Sequence, residues 1–285
     1  MNQLVSIIIT NYNYSLFIEK AIASAINQDY TSKEIIVVDD GSTDDSLEVI
    51  RKFGSNVQLV RKTNGGISSA RNAGFLEAQG FYIAYLDADD YWEPTKLSKQ
   101  ISALQKSQNK LTYCRMHLFD VESGQKAISM EFRSGDFKSI FQNEPGRTPF
   151  APSSVLMTYD LAKQVGDWDI ALLRAAEDYD FYRRCSLVTK FDFDDEALVW
   201  HREHSRSLSA GSLNDYYQGN LRAFIKMLTD LELPLGFMQR RNAIFRFQIA
   251  FGKAFLKNWQ ILKSITMFMS ILLPSKFLIF LSKTY

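Results

Sequence analysis

The sequence predicts an α/β fold built on a mostly parallel sheet with helices on both faces, and three observations carry that reading. Strand-like and helix-like segments alternate through the first hundred residues, the strands are apolar throughout, and three of them end in polar or acidic clusters. Strands apolar on both sides belong inside a parallel sheet, and the helices between them supply the crossovers that parallel pairing needs.

The elements follow in order. "LVSIIIT" (4–10) is an apolar, mostly β-branched run, and "LFIEKAIASAINQ" (16–28) has helical spacing at Phe17, Ala21, Ile22, Ala25 and Ile26, with Ser15 as candidate cap. "EIIVVD" (34–39) is the second strand and "SLEVIRKF" (46–53) the second helix, capped by Asp44 or Asp45. "VQLV" (57–60) is a short third strand, followed by the loop "RKTNGG" and a helix over 67–79. "FYIAYLD" (81–87) is the fourth strand, and Pro94 suits the first turn of the next helix. From about residue 111 the pattern loosens: "LTYCRMHLF", a turn at "VESG" and "KAISMEF" predict an antiparallel pair or edge strands. "EPGRTPFAPSS" (144–154) is a Pro/Gly/Ser-rich loop long enough to be functional. "EDYDFYRRCSLV" (177–188) reads as a helix and "EALVWHREHSRSLS" (196–209) as a strand entering a polar loop, with helix alone after about residue 212.

The 285 residues, 46% hydrophobic and 23% charged, describe an ordinary globular chain: one large domain, or one with an appended piece. Two cysteines, Cys114 and Cys185, give no disulfide framework and favour a reducing compartment. Cys114 and His117 have zinc-like spacing but no second pair, so a buried thiol beside a strand histidine is the better reading. "MNQLVSIIIT" lacks a basic region and a cleavage site, so it is expected to be a strand and not a signal peptide, and the sequon at Asn13 carries no weight. A cytoplasmic protein is expected. Residues 235–285 hold eight Lys/Arg and no Asp or Glu, so the net +1 leaves −7 on residues 1–234.

In an open parallel sheet, ligands bind in the crevice beyond the carboxyl ends of the strands. Here those ends are Thr10-Asn11-Tyr12-Asn13, Asp39-Asp40-Gly41-Ser42 and Asp87-Ala88-Asp89-Asp90. Right-handed crossovers put all three on one edge. Five carboxylates gathered there demand positive charge, and hard oxygen ligands at spacing i, i+2 suit Mg²⁺ or Mn²⁺ bound together with substrate phosphates. A single strand-end Asp is as often a cap or turn former as a ligand; three clusters on one edge are not explained that way. No G-x-G-x-x-G follows the first strand and no G-x-x-x-x-G-K-[ST] occurs, which excludes the common dinucleotide and P-loop sites. Arg71 and the backbone at Gly65 and Gly66 could supply positive partners instead.

"VSIIITNYNY", "EIIVVDDGSTDDS", "NGGISSARNAG" and "YIAYLDADDYWEP" resemble the successive motifs of the family 2 inverting glycosyltransferases with the GT-A fold. The likeness continues through "APSSVLMTYDLAKQVGDWD", "AEDYDFYRRC" and "HREHSRSLS", covering roughly residues 3–210 in unbroken order. The resemblance implies a GT-A, Rossmann-like catalytic domain over 1–211, with a nucleotide-sugar half (1–110), an acceptor half (111–211) and a helical region over 212–285. It implies that Thr10, Tyr12, Asp40 and Arg71 hold the base and ribose, with Asp39 close by. Asp87-Ala88-Asp89 matches the D-x-D motif, with Asp87 toward ribose and Asp89 on the metal, Mn²⁺ or Mg²⁺. Glu177-Asp178 matches the acceptor-side motif whose Asp is the general base. Arg202-x-His204-x-x-Ser207-x-Ser209 matches the late loop at diphosphate or metal, with His204 as metal candidate. His201 stands where the family often has an aromatic, which leaves open which histidine is functional.

These residue types suit the implied chemistry. A departing diphosphate needs its charge neutralised, and an acceptor hydroxyl needs one ionised carboxylate to take its proton. A glycosidase would need two facing carboxyls and no nucleotide site. Acidic residues in a helix's first turn also stabilise the helix, so Glu177 and Asp178 could serve both ends. Implied partners are a nucleotide-sugar donor, probed first as a UDP-sugar, and a saccharide or lipid-linked saccharide acceptor, as in bacterial surface polysaccharide synthesis.

Over residues 240–263, Ile244, Phe247, Phe251, Phe255, Trp259 and Leu262 share one helical face opposite Arg246, Lys253 and Lys257. "ITMFMSILL" and "FLIFL" are too short to span a bilayer. This basic end suits an anionic membrane surface, hence a peripheral place on the inner face of the cell membrane; the other reading packs its Phe face on the body. A polymerase palm also places paired carboxylates as in "YLDADD", but the body at −7 lacks the basic track nucleic acid requires, so no nucleic-acid partner is expected. A nucleotidylyltransferase would want a Gly/Arg-rich loop after the first strand, which "TNYNYS" is not. A non-catalytic sugar-nucleotide-binding or scaffold protein of the same fold is separated only by activity.

Overall fold

The structure, a computed structural model, describes residues 3–129, 134–143, 148, 150–172, 176–205, 207, 213–229, 242–249 and 252–253. Its strands are β1 (Val5–Asn11), β2 (Lys33–Asp39), β3 (Gln58–Arg61), β4 (Tyr82–Asp87), β5 (Tyr91–Trp92), β6 (Leu111–Asp120), β7 (Lys126–Ile128), β8 (Val155–Thr158) and β9 (Phe191–Glu203). Its helices are α1 (Ile18–Ile26), α2 (Ser46–Arg51), α3 (Ile67–Glu77), α4 (Lys96–Ser107), α5 (Lys138–Asn143), α6 (Tyr159–Val165), α7 (Glu177–Val188) and α8 (Leu213–Thr229).

All nine strands join one sheet in the order β3-β2-β1-β4-β8-β6-β9-β5, with β7 paired to β6. The first four are parallel, as expected of apolar runs separated by helices. The second half is mixed: β8 is antiparallel to both β4 and β6, β9 is parallel to β6, and β5 is antiparallel to β9. The expected pair is present as β6 and β7.

Alternate residues of the central strands feed two cores. Ile8, Ile36, Val38 and Tyr85 meet Ala70 of α3, Leu161 of α6, Phe181 of α7 and Phe224 of α8 in one. Ile7, Ile9, Val37 and Leu86 meet Ile22 of α1, Ile50 of α2 and Leu97 and Ile101 of α4 in the other. Both faces of β1 are therefore apolar because both are covered. Gly74 lets α3 lie flush on the sheet, since a Cβ there would stand 2.4 Å from Ile8 Cγ2.

Some local expectations are corrected. Ser15 does not cap the first helix: Phe17 occupies the N-cap position with no side-chain bond, while the Ser15 amide donates to Asp44 Oδ2 at 2.9 Å. Asp44 Oδ1 also accepts from the Ser46 amide at 3.0 Å, so Asp44 ties the β1 loop to the start of α2. Pro94 lies in the turn ahead of α4, which starts at Lys96. The two-residue β5 and β8, which follows the 3-10 turn Pro152–Ser154, were not anticipated, and β9 begins five residues earlier than its apolar stretch indicated.

The chain after 212 is helical where described, in α8 and over 242–249. Phe247 is fully buried and stacks on Phe224 at 4.5 Å, so this part of the predicted stripe packs on the body. Phe251, Phe255, Trp259 and Leu262 lie outside the described residues. Among the described residues no helix is long and apolar enough to cross a membrane.

Candidate active site

The register of the parallel strands brings the predicted edge together. Asn11 pairs with Asp39 across β1 and β2, and Thr10 pairs with Asp87 across β1 and β4. Thr10 is buried, and its hydroxyl has no hydrogen-bond partner among the described residues; Tyr12 is 45% exposed on the rim.

Most of the carboxylates on this edge are matched by protein donors, a refinement of the expected surplus of negative charge. Asp39 Oδ1 accepts from Asn11 Nδ2 at 3.0 Å and Oδ2 from the Ser42 amide at 3.2 Å. Asp40 accepts from Lys62 Nζ at 2.5 Å and from the amides of Gly65 and Gly66 at 3.1 and 2.8 Å, so it shapes the loop ahead of α3. Gly66 is the N-cap of α3 with φ +83°, a conformation that favours glycine. Asp90 is fully buried and faces His201 Nδ1 at 3.0 Å and the Arg202 amide at 3.2 Å.

Asp89 faces a different group. Its Oδ2 lies 3.3 Å from His204 Nε2, and the His204 ring stacks on Phe17 at 4.5 Å. Burial raises the Asp89 pKa, and Asp90 and Asp87 push the same way. A carboxylate made costly to ionise, beside an imidazole, is a donor set that a hard or borderline divalent cation such as Mn²⁺ relieves. Among the described residues no group of three or more His, Cys, Asp or Glu is arranged for a metal. One or two protein ligands completed by phosphate oxygens is the usual arrangement for such an ion, so the residues fit.

Arg71, buried in α3, bridges the end of β4 and the start of α7. Its Nη2 donates to Asp87 Oδ1 at 3.0 Å and its Nη1 to Glu177 Oε1 at 3.1 Å. The guanidinium is thus closed on both sides by carboxylates, and it meets the strand-end cluster through Asp87. Asp87 is also held by its own amide, which donates to Ser153 Oγ at 3.1 Å.

Glu177 and Asp178 open α7 directly after Ala176, whose φ of +66° is unusual for a residue with a Cβ. Burial, reinforced by Asp178, pushes the Glu177 carboxyl up to about 7 against the pull of Arg71. Burial likewise raises Asp178, opposed by the Tyr179 amide, which donates to Asp178 Oδ1 at 2.7 Å. The first-turn contact and a raised, half-buried carboxylate coexist.

The late loop divides its residues. Arg202, expected at diphosphate or metal, is turned inward: its Nε donates to the Asp89 carbonyl and its Nη2 to the Phe17 carbonyl at 3.2 Å. His201 pairs with Asp90, whose charge pushes its pKa up to about 9. His204, whose amide donates to Ser207 Oγ at 3.3 Å, stands at Asp89; Ser209 lies outside the described residues. Sequence reasoning missed Lys62 and Ser153. Their contacts join segments far apart in the chain, and only the Ser153 stretch carried a motif.

A family model described as "Glycosyl transferase family 2" matches residues 6–163. An uncharacterised glycosyltransferase of Rickettsia typhi is 31% identical over 274 residues, 92% of this chain and 85% of that one. Among solved structures, S. aureus TarS in complex with UDP-GlcNAc is similar with a TM-score of 0.63 at 19% identity, over 86% of this chain and 80% of that one. The mannosyltransferase PcManGT of Pyrobaculum calidifontis, in complex with GDP-Man and Mn²⁺, is similar with a TM-score of 0.62 at 17% identity, over 98% and 79%. These structures share the fold, that of GT-A glycosyltransferases.

Proposed function

This chain belongs to glycosyl transferase family 2, and on that premise we propose that it moves a sugar from a UDP-sugar to a hydroxyl of a glycan or lipid-linked saccharide, inverting the anomeric carbon. The observation that carries the reading is the Arg71 bridge: one buried guanidinium joins Asp87 of the strand-end cluster to Glu177 of the acceptor side. Thr10, Tyr12, Asp39 and Asp40 line the nucleotide end, with Arg71 acting there by fixing Asp87. Asp89 and His204 would hold Mn²⁺ or Mg²⁺, which supplies positive charge to the diphosphate when bound.

In the transfer, the acceptor oxygen forms a bond to the anomeric carbon as the bond from that carbon to the diphosphate oxygen breaks. The electron pair leaves with UDP. The hydroxyl proton goes to the Asp178 carboxylate, while Glu177 stays on Arg71 and orients the helix end. The basic, acid-free stretch 235–285 supports peripheral contact with an anionic inner membrane surface and a cytoplasmic site of action, although the described part of it packs on the body.

The test incubates the full chain with UDP-glucose, UDP-galactose, their N-acetylamino counterparts and GDP-mannose, with Mn²⁺ or with EDTA, and measures nucleoside diphosphate release. Release from a UDP-sugar that needs Mn²⁺ is expected. Turnover of GDP-mannose alone would overturn the donor assignment, and binding of UDP with no turnover of any sugar would leave a binding protein.

A further inference from the structure

We propose that Asn72 and Trp168 are positioning residues for this transfer: they fix the Arg71 guanidinium, and through it the separation between the donor edge and the helix end that carries Asp178. The inference rests on the proposed transfer reaction but concerns residues to which that reaction assigns no role.

Trp168 lies among residues 166–172, which follow α6 and belong to no described strand. The Asn72 carboxamide satisfies it on both sides: Asn72 Nδ2 donates to the Trp168 carbonyl, and the Trp168 amide donates to Asn72 Oδ1, each at 2.9 Å. One side chain of α3 thus stands in for a neighbouring strand. The neighbouring Arg71 places its guanidinium carbon 4.3 Å from the Trp168 ring centroid. Arg71 Nε has no hydrogen-bond partner among the described residues; Asp87, Glu177 and the indole hold the guanidinium.

The same indole reaches α7. It stacks on Phe181 with centroids 4.1 Å apart and planes 2° from parallel, and meets Tyr85 of β4 edge-on at 5.2 Å. Donor strand, donor helix and catalytic helix therefore converge on one ring that is 2% exposed. Ring stacking alone is what an ordinary core tryptophan makes. A cation over the ring and a two-way clamp on its peptide are what fix its orientation, and orientation is what a proton transfer requires.

The test compares Asn72→Ala, Trp168→Phe and Trp168→Leu with wild type. It measures UDP affinity with Mn²⁺ by calorimetry, turnover of whichever UDP-sugar wild type uses, and amide exchange by mass spectrometry. Asn72→Ala is expected to lose at least about 10-fold in turnover with UDP affinity nearly unchanged. Its amides at 177–181 should exchange faster while those at 18–26 keep the wild-type rate. Trp168→Phe, which keeps a ring for Phe181 and Arg71, should retain more turnover than Trp168→Leu. Wild-type turnover and wild-type exchange at 177–181 in Asn72→Ala and Trp168→Leu would overturn the proposal. So would exchange accelerated evenly across the sheet together with lost UDP binding, the mark of a core residue only. If wild type turns over no UDP-sugar, the transfer reading fails, and unchanged exchange at 177–181 would defeat the clamp separately.

Discussion

Arg71 and Glu177, 106 residues apart in the chain, meet at 3.1 Å with both side chains buried. The partner on the other side of the guanidinium, Asp87, makes Arg71 the counter-ion of two carboxylates at once. Removing it would leave the buried Glu177 and the partly exposed Asp87 without their shared cation.

Arg71→Met is therefore expected to cost roughly 3–5 kcal/mol of stability in urea unfolding, the range for breaking a buried pair. Arg71→Lys should fall between that variant and wild type, because an ammonium cannot fork to Asp87 and Glu177 together. Wild-type stability of Arg71→Lys would show that the two-sided contact is not needed.

His201 gives a pH dependence of definite sign. Its folded-state pKa is raised to about 9 by Asp90, so its contribution is fully present below its ordinary value of 6.5 and lost as pH rises through 9. In EDTA, the stability gap between wild type and His201→Gln should shrink by roughly 1–3 kcal/mol across that window. A gap independent of pH would mean that the imidazole is not charged in the fold.

Lys96 has the opposite sign. It is fully buried, donates to Gln100 Oε1 at 2.8 Å and lies 4.1 Å from the Trp92 ring centroid; burial lowers its pKa to about 8 from 10.5. The unfolded chain binds more protons between those values, so wild-type stability should rise from pH 8 to 10.5 relative to Lys96→Met, by roughly 1–3 kcal/mol. Parallel curves for the two proteins would mean that burial does not lower the pKa of this amine.

Asp89 and His204 are open to a test that needs no turnover. Mn²⁺ should tighten UDP binding to wild type, and Asp89→Asn should lose most of that gain, at least about 10-fold, while metal-free UDP affinity holds. His204→Phe keeps an aromatic ring against Phe17 but removes both ring nitrogens, so it should weaken the Mn²⁺ effect as well. An undiminished effect in Asp89→Asn would move the metal elsewhere.

How far the sequence was legible follows from how local each cause is. Strands β1, β2 and β4 and their shared edge could be read because an apolar run ending in acid is a property of a few consecutive residues, and parallel pairing orders the ends. The two-residue β5 could not, since its partner on β9 is more than a hundred residues away and it has no periodicity of its own. Ser15 looked like a cap because its type is right; the Asp44 carboxylate, brought in by the neighbouring loop, claims its amide instead. The positive partners of the strand-end acids were legible in part: Arg71 and the Gly65 and Gly66 backbone were expected there and meet Asp87 and Asp40, whereas Lys62 at Asp40 and His201 at Asp90 depend on contacts between segments far apart in the chain.

Asp178 carries the most specific expectation. It opens α7 beside Glu177, whose carboxylate is already committed to Arg71, so Asp178 is the acid of the pair that remains for an acceptor hydroxyl. Its carboxylate does accept from the Tyr179 amide, and an asparagine oxygen there would keep that bond. Asp178→Asn thus preserves the shape and the helix-end contact while removing the ability to take a proton at neutral pH. Losing a general base costs on the order of 10²–10⁴ in rate, and the loss should appear in kcat with UDP affinity unchanged. Because burial raises the Asp178 pKa, wild-type turnover should fall on acidification above the ordinary carboxylate range, and that limb should vanish in the residual activity of the variant. Turnover near wild type would return the base role to Glu177 or another acid. Loss of UDP binding would instead place Asp178 on the donor side, against the geometry of the Arg71 bridge.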